Sequence, residues 1–399
     1  MVKLKEYGGI KSLKKQNLIE YTNSFETPFF LLNKSLVKKK VDEFYNIFKK
    51  STTNYHLYYS VKTNYHPYLL KLFRELGVKL EVISGFEIDL LSSLNLMDEY
   101  TIINGPSKSD YELNKIVKKD SIVQTDSLEE IISINKIARK HDKIIRIAIR
   151  MQPLNSSWKR FGVSKELASE YVDFISTKCS NLKLIGLHAH LGTQILEPIL
   201  YEDLTNFLVG FMEQKNLTKK LEYINIGGGF PSYKAPLTDH KKKPKSYTEY
   251  FQVIDKALEK VKKKNPFLKV IMEPGRALID EALDLVTTVM SSNDASIVLD
   301  TGKNHIPSLN IRFHPIIFEE KYSDKKLMPT KVNGCLCMRS DALPEPIDLP
   351  KLSRGDRLII ECVGAYSTSQ SMIFIKYSPA MYIYDETYKE TGFKQISRR

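Results

Sequence analysis

The sequence contains few cysteines and no long apolar run. Its four cysteines, Cys179, Cys335, Cys337 and Cys362, are spread over 399 residues without a Cys-x-x-Cys pair, so neither a disulfide framework nor a zinc site built on paired cysteines is expected. No run of about 18 apolar residues occurs, and the lysine-containing N-terminus lacks the apolar stretch of a signal peptide. We therefore expect a protein of a reducing compartment, and the cytoplasm is the predicted location.

The signals for binding nucleotides or nucleic acids are weak. The sequence has no G-x-G-x-x-G in a strand-to-helix turn and no G-x-x-x-x-G-K-S/T, so dinucleotide-binding and P-loop functions lose their usual support. A net charge of +13 suggests a nucleic-acid binder. The basic runs, however, are short and flanked by acidic or aromatic residues: Lys38 to Lys40, Lys241 to Lys243 with Lys245, and Lys262 to Lys264. We interpret them as solvated surface and predict no nucleic-acid or membrane partner.

The composition is that of a folded globular protein. Of the residues, 42% are hydrophobic and 27% are charged, which excludes disordered and collagen-like chains. At 399 residues, two domains or one large barrel with an appendage are expected.

Eight short runs of β-branched and aromatic residues alternate with amphipathic stretches over the first two thirds of the chain. The runs are HLYYSVK near 56–62, KLEVIS near 79–84, YTIING near 100–105, SIVQT at 121–125, IIRIAIRM at 144–151, LKLIGLHAHLG at 182–192, YINIG at 223–227 and KVIMEP at 269–274. The intervening segments carry helix signals, such as the terminal glycine of PYLLKLFRELG and the serine cap of SLEEIISINKIARKH. Eight strand–helix units of this size predict an α/β fold, a (β/α)8 TIM barrel.

The pattern changes after Arg276. Short alternating runs, LDLVTTVM, ASIVLDTG, DRLIIECVGAY and SPAMYIYDE, are separated by turn residues and predict an antiparallel β domain. We place the barrel at residues 27–281. The β domain is expected to consist of residues 282–399 joined by residues 1–26, which cross over to it.

Candidate functional residues lie at the carboxyl ends of the predicted barrel strands, where such folds carry their sites. They are Lys62, Glu81, Ser84, His190, the glycines 227–229 and Glu273 in EPGR. A lysine at one strand end can arise by chance, and a glycine triplet is either a tight turn or a phosphate-binding turn. The joint occurrence indicates a functional site.

Two same-face pairs invite a metal interpretation. His188 and His190 are two residues apart on one predicted strand, and one of them could be a core histidine. Cys335 and Cys337 are likewise assigned to one face of a strand. Neither pair has a convincing further ligand in the sequence, so no metal is predicted.

Seven motifs occur in a fixed order: Y-S-V-K-T-N, S-G-F-E, H-x-G-T-Q, G-G-G-F-P, E-P-G-R, C-x-x-x-D and G-A-Y. With them the chain resembles the fold-type III decarboxylases dependent on pyridoxal phosphate, which include diaminopimelate and ornithine decarboxylases. The resemblance runs from TPFFLLN near 27 to GAY at 364–366. It implies a barrel of the alanine-racemase type, an amino-acid substrate and a homodimer with shared active sites.

The resemblance also implies a role for each motif residue. Lys62 would form the Schiff base with the cofactor, Glu273 would pair with the pyridine nitrogen, and His190 would stack on the ring. Cys337 of the partner subunit would protonate the quinonoid intermediate once carbon dioxide has left, because a thiol can act as a general acid. The implied cofactor contacts are completed by Thr193, Gly228, Gly229, Gly275, Arg276 and Tyr366, of which the last two are also substrate candidates.

The chain departs from the family where the substrate is bound. Met338 and Arg339 follow the cysteine in place of the acidic residue that binds a distal ammonium group. Methionine cannot pair with ammonium, whereas Arg339 offers a carboxylate a bidentate partner, unless it points to solvent or bridges to Asp341. Arg312 is a further substrate candidate. We expect decarboxylation either of diaminopimelate in lysine biosynthesis or of a carboxylate-bearing amino acid in specialised metabolism.

Two other functions share the cofactor. An alanine-type racemase resembles this barrel, but it has an arginine at the pyridine nitrogen and a tyrosine opposite the lysine, where this chain has Glu273 and Cys337. A non-catalytic carrier of pyridoxal phosphate resembles the barrel alone, whereas this chain continues and supplies Cys337 and Tyr366. A decarboxylase is therefore the leading hypothesis.

Overall fold

The computed structural model describes residues 15–153, 160–234, 243–293, 295–385 and 394–397. The chain divides into two compact units. The barrel unit comprises Val41–Pro231 and Pro244–Gly275, and the β unit comprises Met1–Lys40, Ser232–Lys243 and Arg276–Arg399. Within the described ranges, no helix combines the length and the apolar character needed to cross a membrane.

The eight strands predicted from the sequence form a closed parallel barrel, which confirms that prediction. Each strand pairs with its neighbours in sequence order, and the last pairs with the first. Their bounds are β2 Asn54–Ser60, β3 Lys79–Val82, β4 Ile102–Ile103, β5 Ile122–Thr125, β6 Ile145–Arg150, β7 Leu182–His188, β8 Tyr223–Asn225 and β9 Lys269–Met272.

The helices begin and end where their capping residues lie. Ser127 caps the helix Leu128–Lys140, and Ser109 and Glu112 form a capping box at the helix Asp110–Lys118, so the first backbone N–H groups find acceptors. Gly77 follows the helix Pro67–Glu75 with a φ of +79°, a left-handed conformation that favours glycine. The helices are α1 Lys15–Tyr21, α2 Lys34–Phe48, α3 Pro67–Glu75, α4 Gly85–Ser93, α5 Asp110–Lys118, α6 Leu128–Lys140, α7 Lys165–Lys178, α8 Ile199–Gln214, α9 Tyr247–Lys264 and α10 Arg276–Ile279.

The barrel has a packed centre. One buried cluster draws a residue from every strand except β3: Tyr58, Ile102, Ile122, Ala148, Ile185, Tyr223 and Ile271. Side chains of this size fill an eight-stranded barrel and leave no pore. The functional side chains are therefore confined to the ends of the strands.

The β unit contains one nine-stranded sheet. Its central path runs β14, β13, β11, β10, β1, β16, β17, with β15 pairing to β10 and β12. The strands are β1 Phe29–Asn33, β10 Leu283–Ser292, β11 Ser296–Leu299, β12 Ile316–Phe318, β13 Leu327–Asn333, β14 Ile347–Pro350, β15 Arg357–Ile360, β16 Ala380–Tyr384 and β17 Lys394–Ser397.

This sheet is mixed, whereas the sequence predicted an antiparallel one. β1 is parallel to β16, and β11 is parallel to β13. Parallel neighbours need long connections, and both pairs have them, because neither is joined by a hairpin. The alternating pattern predicts strands but carries no information on direction when the partners are distant in sequence.

Strand β1 lies inside the sheet of the β unit, between β10 and β16. Its residues Phe29 and Leu31 pack in one buried cluster with Leu18 and Ile19 of α1. From the sequence, residue 27 is predicted to be the start of the barrel domain. In the structure the chain enters the barrel only after β1.

Asp255 on α9 ties this helix to the start of the first barrel strand. Its carboxylate accepts hydrogen bonds from the hydroxyls of Ser51 at 2.8 and 2.9 Å, Thr53 at 2.5 Å and Tyr55 at 2.9 Å. We expect Asp255→Ala to lower the free energy of unfolding by about 2–4 kcal/mol, because three hydroxyls lose a charged acceptor. Urea denaturation of the two proteins measures the difference.

The matched control is Asp173→Ala. Asp173 is exposed and pairs with Lys215 at 2.8 Å, and such surface pairs contribute about 0–1 kcal/mol. Equal losses in the two variants would contradict the structural role of Asp255.

Candidate active site

Lys62 stands just after the first barrel strand, in the short 3-10 turn Val61–Thr63. Its Nζ lies 3.9 Å from Oε2 of Glu81 on the neighbouring strand, and its side chain is 40% exposed. Glu81 is fully buried and accepts a hydrogen bond of 2.5 Å from the hydroxyl of Ser60. An accessible amine thus stands beside a carboxylate that is fixed in place.

Glu273 follows the last barrel strand and is also buried. Its carboxylate accepts hydrogen bonds from Nδ2 of Asn225 at 2.5 Å and from Nδ2 of Asn104 at 3.1 and 3.2 Å. Burial and the charge of Glu81 raise the pKa of Glu273 to about 8, against the lowering effect of Asn225, Lys62 and Asn104. A cation brought to this carboxylate would favour its ionised form.

The two histidines differ in their surroundings. Nδ1 of His190 accepts a hydrogen bond of 3.1 Å from the backbone N–H of Gly228, and burial with nearby positive charges lowers the pKa of His190 to about 3. Its ring is therefore neutral and carries its hydrogen on Nε2. His188 is fully buried with Nε2 at 3.7 Å from Oε2 of Glu273, and burial holds its pKa well below the usual range. In the described part of the chain, no three His, Cys, Asp or Glu side chains are grouped to hold a metal.

The glycine triplet after β8 has no room for side chains. A Cβ on Gly228 would lie 2.4 Å from the carbonyl oxygen of Glu273, and one on Gly229 would lie 2.7 Å from that of Gly192. Gly229 also has a φ of +98°, and Tyr201 donates a hydrogen bond of 2.9 Å to the carbonyl of Gly228. The turn is a fixed backbone surface, as an anion site built on N–H groups requires.

The remaining predicted barrel residues lie in the loops beside these strands. Gly275 packs so closely that a Cβ would lie 1.9 Å from Oγ1 of Thr63, next to Lys62. Thr193 is exposed on the loop after β7. Together with Lys62, Glu273, His190 and the glycines, they surround the carboxyl ends of the barrel strands.

Arg276 and Tyr366 lie together in the β unit. The Arg276 guanidinium is 5.2 Å from the ring centroid of Tyr366, and its Nη1 is 3.4 Å from Oδ1 of Asp280. Its Nε is buried and has no hydrogen-bond partner among the described residues, so Arg276 retains a donor for an anion. Arg312 is buried and pairs with both carboxylate oxygens of Asp280.

Cys337 lies in the turn after β13, and so does Cys335. The prediction that both are same-face strand residues was wrong, because β13 ends at Asn333. Cys337 is exposed, whereas Cys335 is half-buried and burial raises its thiol pKa. Of these two cysteines, Cys337 is the one whose side chain is exposed.

Asp341 closes the turn that carries Cys337, Met338 and Arg339. Its two oxygens accept hydrogen bonds of 2.7 Å each from the backbone N–H groups of Lys303 and Leu336. Met338 is 39% exposed, and Arg339 is exposed without an ion pair to Asp341 among the described contacts. The turn is thus held by Asp341, while the two residues after the cysteine face outward.

Two asparagines were missed by the sequence analysis. Asn104 directly follows β4, and Asn225 is the last residue of β8. Both are buried and both donate to Glu273. The sequence does mark both positions, because each asparagine is a polar residue that interrupts an apolar run, in YTIING and in YINIG.

Comparisons with known proteins give relatives over almost the whole chain. A family model described as the pyridoxal-dependent decarboxylase, pyridoxal binding domain, matches residues 36–280. A diaminopimelate decarboxylase from Aquifex aeolicus is 29% identical over 376 residues, covering 89% of this chain and 86% of that protein. An L-glutamyl acyl-carrier-protein decarboxylase from Niallia circulans is 26% identical and covers 97% of this chain and 94% of that protein.

Solved structures share the fold. The diaminopimelate decarboxylase of Methanocaldococcus jannaschii has a TM-score of 0.84 at 23% identity, covering 95% of this chain and 92% of that one. A lysine/ornithine decarboxylase from Vibrio vulnificus, complexed with cadaverine, has a TM-score of 0.80 at 23% identity and covers 96% and 99%. The family model spans most of the chain, and these structures have its barrel and β domain. The chain therefore belongs to the pyridoxal-dependent decarboxylases and is a carboxy-lyase whose cofactor is pyridoxal phosphate.

Proposed function

We propose that this enzyme removes the α-carboxylate of an amino acid whose side chain ends in an anionic group. Lys62 binds the cofactor and Cys337 of a second copy supplies a proton. The observation that carries the proposal is the arrangement of Lys62 beside Glu81 and Glu273, two buried carboxylates at the ends of barrel strands. Arg339, in place of an acidic residue after the cysteine, supports the choice of substrate.

The residues at the strand ends fit pyridoxal phosphate. Lys62 offers an exposed amine that can exchange with the amine of the substrate. With the cofactor bound, Glu273 would hold a proton at the pyridine nitrogen through an opposite-charge interaction, and the neutral ring of His190 would stack on the cofactor. When bound, the cofactor supplies a ring that accepts the electron pair left by departing carbon dioxide.

The phosphate requires donors without competing side chains. The N–H of Gly229 lies on a turn that excludes side chains, and Gly228, whose own N–H is donated to His190, leaves that turn open to close approach. Thr193 and Gly275 lie on the adjacent loops, and Arg276 has a free Nε next to Tyr366. We assign these residues to the phosphate group. Arg276 and Tyr366 also carry donors that suit a substrate carboxylate.

Cys337 is proposed to donate a proton from Sγ to the α-carbon of the substrate. Its thiol is exposed, and a positioned thiol is an effective general acid. The neighbouring segment around residue 373 is strongly apolar and exposed, with Ile373 at 85% and Ile375 at 59%. Such a patch is expected to be covered in an oligomer, which supports a homodimer that brings Cys337 of one copy to Lys62 of the other.

The substrate is proposed to carry a second carboxylate. Met338 cannot bind an ammonium group, and Arg339 is exposed for bidentate pairing. Arg312, by contrast, is engaged by Asp280, so Arg339 is the stronger candidate. The Niallia circulans relative, which is named for an L-glutamyl group on a carrier protein, supports a carrier-bound substrate as a second candidate.

Reduction of the holoenzyme with borohydride should fix the cofactor on Lys62. Mass spectrometry of the peptide that contains Lys62 is expected to show the added mass, and Lys62→Ala should lose both the adduct and carbon dioxide release. Lys71→Ala, an exposed lysine on α3, is the control and should behave as the natural protein. An adduct on another lysine would overturn the assignment.

Mixing Lys62→Ala with Cys337→Ala should restore activity. Random exchange of subunits makes half of the dimers mixed, and one of the two sites in each mixed dimer has both natural residues, so about a quarter of the sites should recover. Carbon dioxide release is the measurement. If subunit exchange is confirmed and no activity returns, the two residues do not work across chains.

Arg339→Ala should raise KM for the natural substrate about ten- to a hundredfold with little change in kcat, because a charge-assisted contact to a non-reacting group is lost. The assay measures carbon dioxide release from glutamate, diaminopimelate, ornithine, lysine and a carrier-bound glutamyl group. Arg354→Ala, an exposed arginine on a turn, is the control. Full activity on diaminopimelate, whose distal carboxylate is accompanied by an ammonium group, or on ornithine or lysine would contradict a side chain that ends in an anionic group alone, and racemisation without gas release would contradict decarboxylation.

A further inference from the structure

One amide group lies between the two buried carboxylates of the barrel. Nδ2 of Asn104 is 2.8 Å from Oε1 of Glu81, and 3.1 and 3.2 Å from Oε1 and Oε2 of Glu273. Asn104 itself is 3% exposed, and its Oδ1 is buried without a hydrogen-bond partner in the described part of the chain.

The orientation of this amide follows from chemistry. When both carboxylates are ionised, an amide oxygen turned toward their three oxygens would meet only acceptors, whereas the NH2 group has two hydrogens to donate. Leaving Oδ1 unpaired has a free-energy cost of its own. The hydrogen bonds that Asn104 donates to Glu81 and Glu273 therefore come together with the free-energy cost of an unpaired Oδ1.

The carboxylates repel one another, and few groups offset this. Glu273 faces Glu81, Lys62, Asn225, Asn104 and His188. The ring of His188 is kept neutral by burial and adds no positive charge. Asn225 donates to Glu273 alone, and Ser60 donates to Glu81 alone. Among the residues that the structure describes, Asn104 is the side chain that donates to both.

We propose that Asn104 is a positioning residue for the cofactor: by donating to Glu81 and Glu273 together, it keeps Glu273 aimed at the pyridine nitrogen in spite of its charged neighbour. This inference rests on the proposed pairing of Glu273 with that nitrogen. Asn104 touches neither the substrate nor the reacting atoms in this role and acts through Glu273.

The test is a double-mutant cycle on the affinity of the apoprotein for pyridoxal phosphate, measured by equilibrium dialysis. Asn104→Ala should weaken binding about ten- to a hundredfold, the loss typical of a hydrogen bond to a charged group. Glu81→Gln removes the competing charge, so in the double variant most of the affinity should return. If Asn104→Ala weakens cofactor binding equally whether position 81 is glutamate or glutamine, the proposal is overturned.

A second variant keeps the test valid if Asn104→Ala does not fold. Asn104→Ser retains a donor but has a single hydroxyl hydrogen, so it can donate to only one of the two carboxylates at a time. It should therefore weaken cofactor binding and should be restored by Glu81→Gln. Full affinity in Asn104→Ser alone would show that one hydrogen bond suffices and would overturn the bridging role.

The pH dependence of apoprotein stability gives a readout without the cofactor. The pKa of Glu273 is raised from 4.5 to about 8, so the protonated carboxyl stabilises the fold. This contribution to stability is complete below about pH 4.5 and is lost as the pH rises through about 8. The stability difference from Glu273→Gln should show this loss. In Asn104→Ala the loss should extend to higher pH, because a hydrogen bond that favours the ionised form is gone; an unchanged profile would contradict the proposal.

Glu273→Gln separates this inference from the function on which it rests. If Glu273→Gln leaves the cofactor affinity unchanged, the pairing with the pyridine nitrogen is wrong. If Glu273→Gln weakens binding while Asn104→Ala does not, the pairing stands and only the role of Asn104 fails.

Discussion

Two carboxylates buried side by side need a donor for nearly every oxygen atom, because an unpaired buried charge is strongly destabilising. Glu81 and Glu273 meet this requirement through Ser60, Asn104 and Asn225. These residues come from different barrel strands, and only a closed parallel barrel brings the carboxyl ends of all of them to one rim. The positions of Lys62 and of the glycine turn follow from the same convergence.

Much of this arrangement could be predicted from the sequence. The eight barrel strands have continuous β-branched and aromatic runs, since parallel strands are buried on both faces, and the motifs place Lys62, His190 and Glu273 at strand ends. Asn104 and Asn225 could not be identified in the same way. An asparagine after a strand is common in turns, and its partner is a carboxylate far away in sequence, so no local pattern distinguishes the two cases.

The β unit was harder to predict, for a physical reason. Strand direction depends on connections between distant segments, so the parallel pairing of β1 with β16 leaves no local trace. The burial of Lys40 leaves no local trace either. Lys40 lies in a basic run that the sequence predicts to be solvated, yet it is buried with its Nζ 3.0 Å from Oε2 of Glu281. The turn that contains Cys335 and Cys337 looks like a strand in sequence because its residues alternate, yet Asp341 folds it back on itself.

In the turn from Cys337 to Asp341, one residue holds the backbone and others face outward. Asp341 fixes the backbone from within, through two N–H groups, and the packing is so tight that a Cβ on Gly302 or Gly334 would come within 2.4 Å of its carboxylate. Met338 and Arg339 take no part in that support. Residues at these two positions can therefore be exchanged during evolution without loss of the hydrogen bonds that hold the backbone beside Cys337.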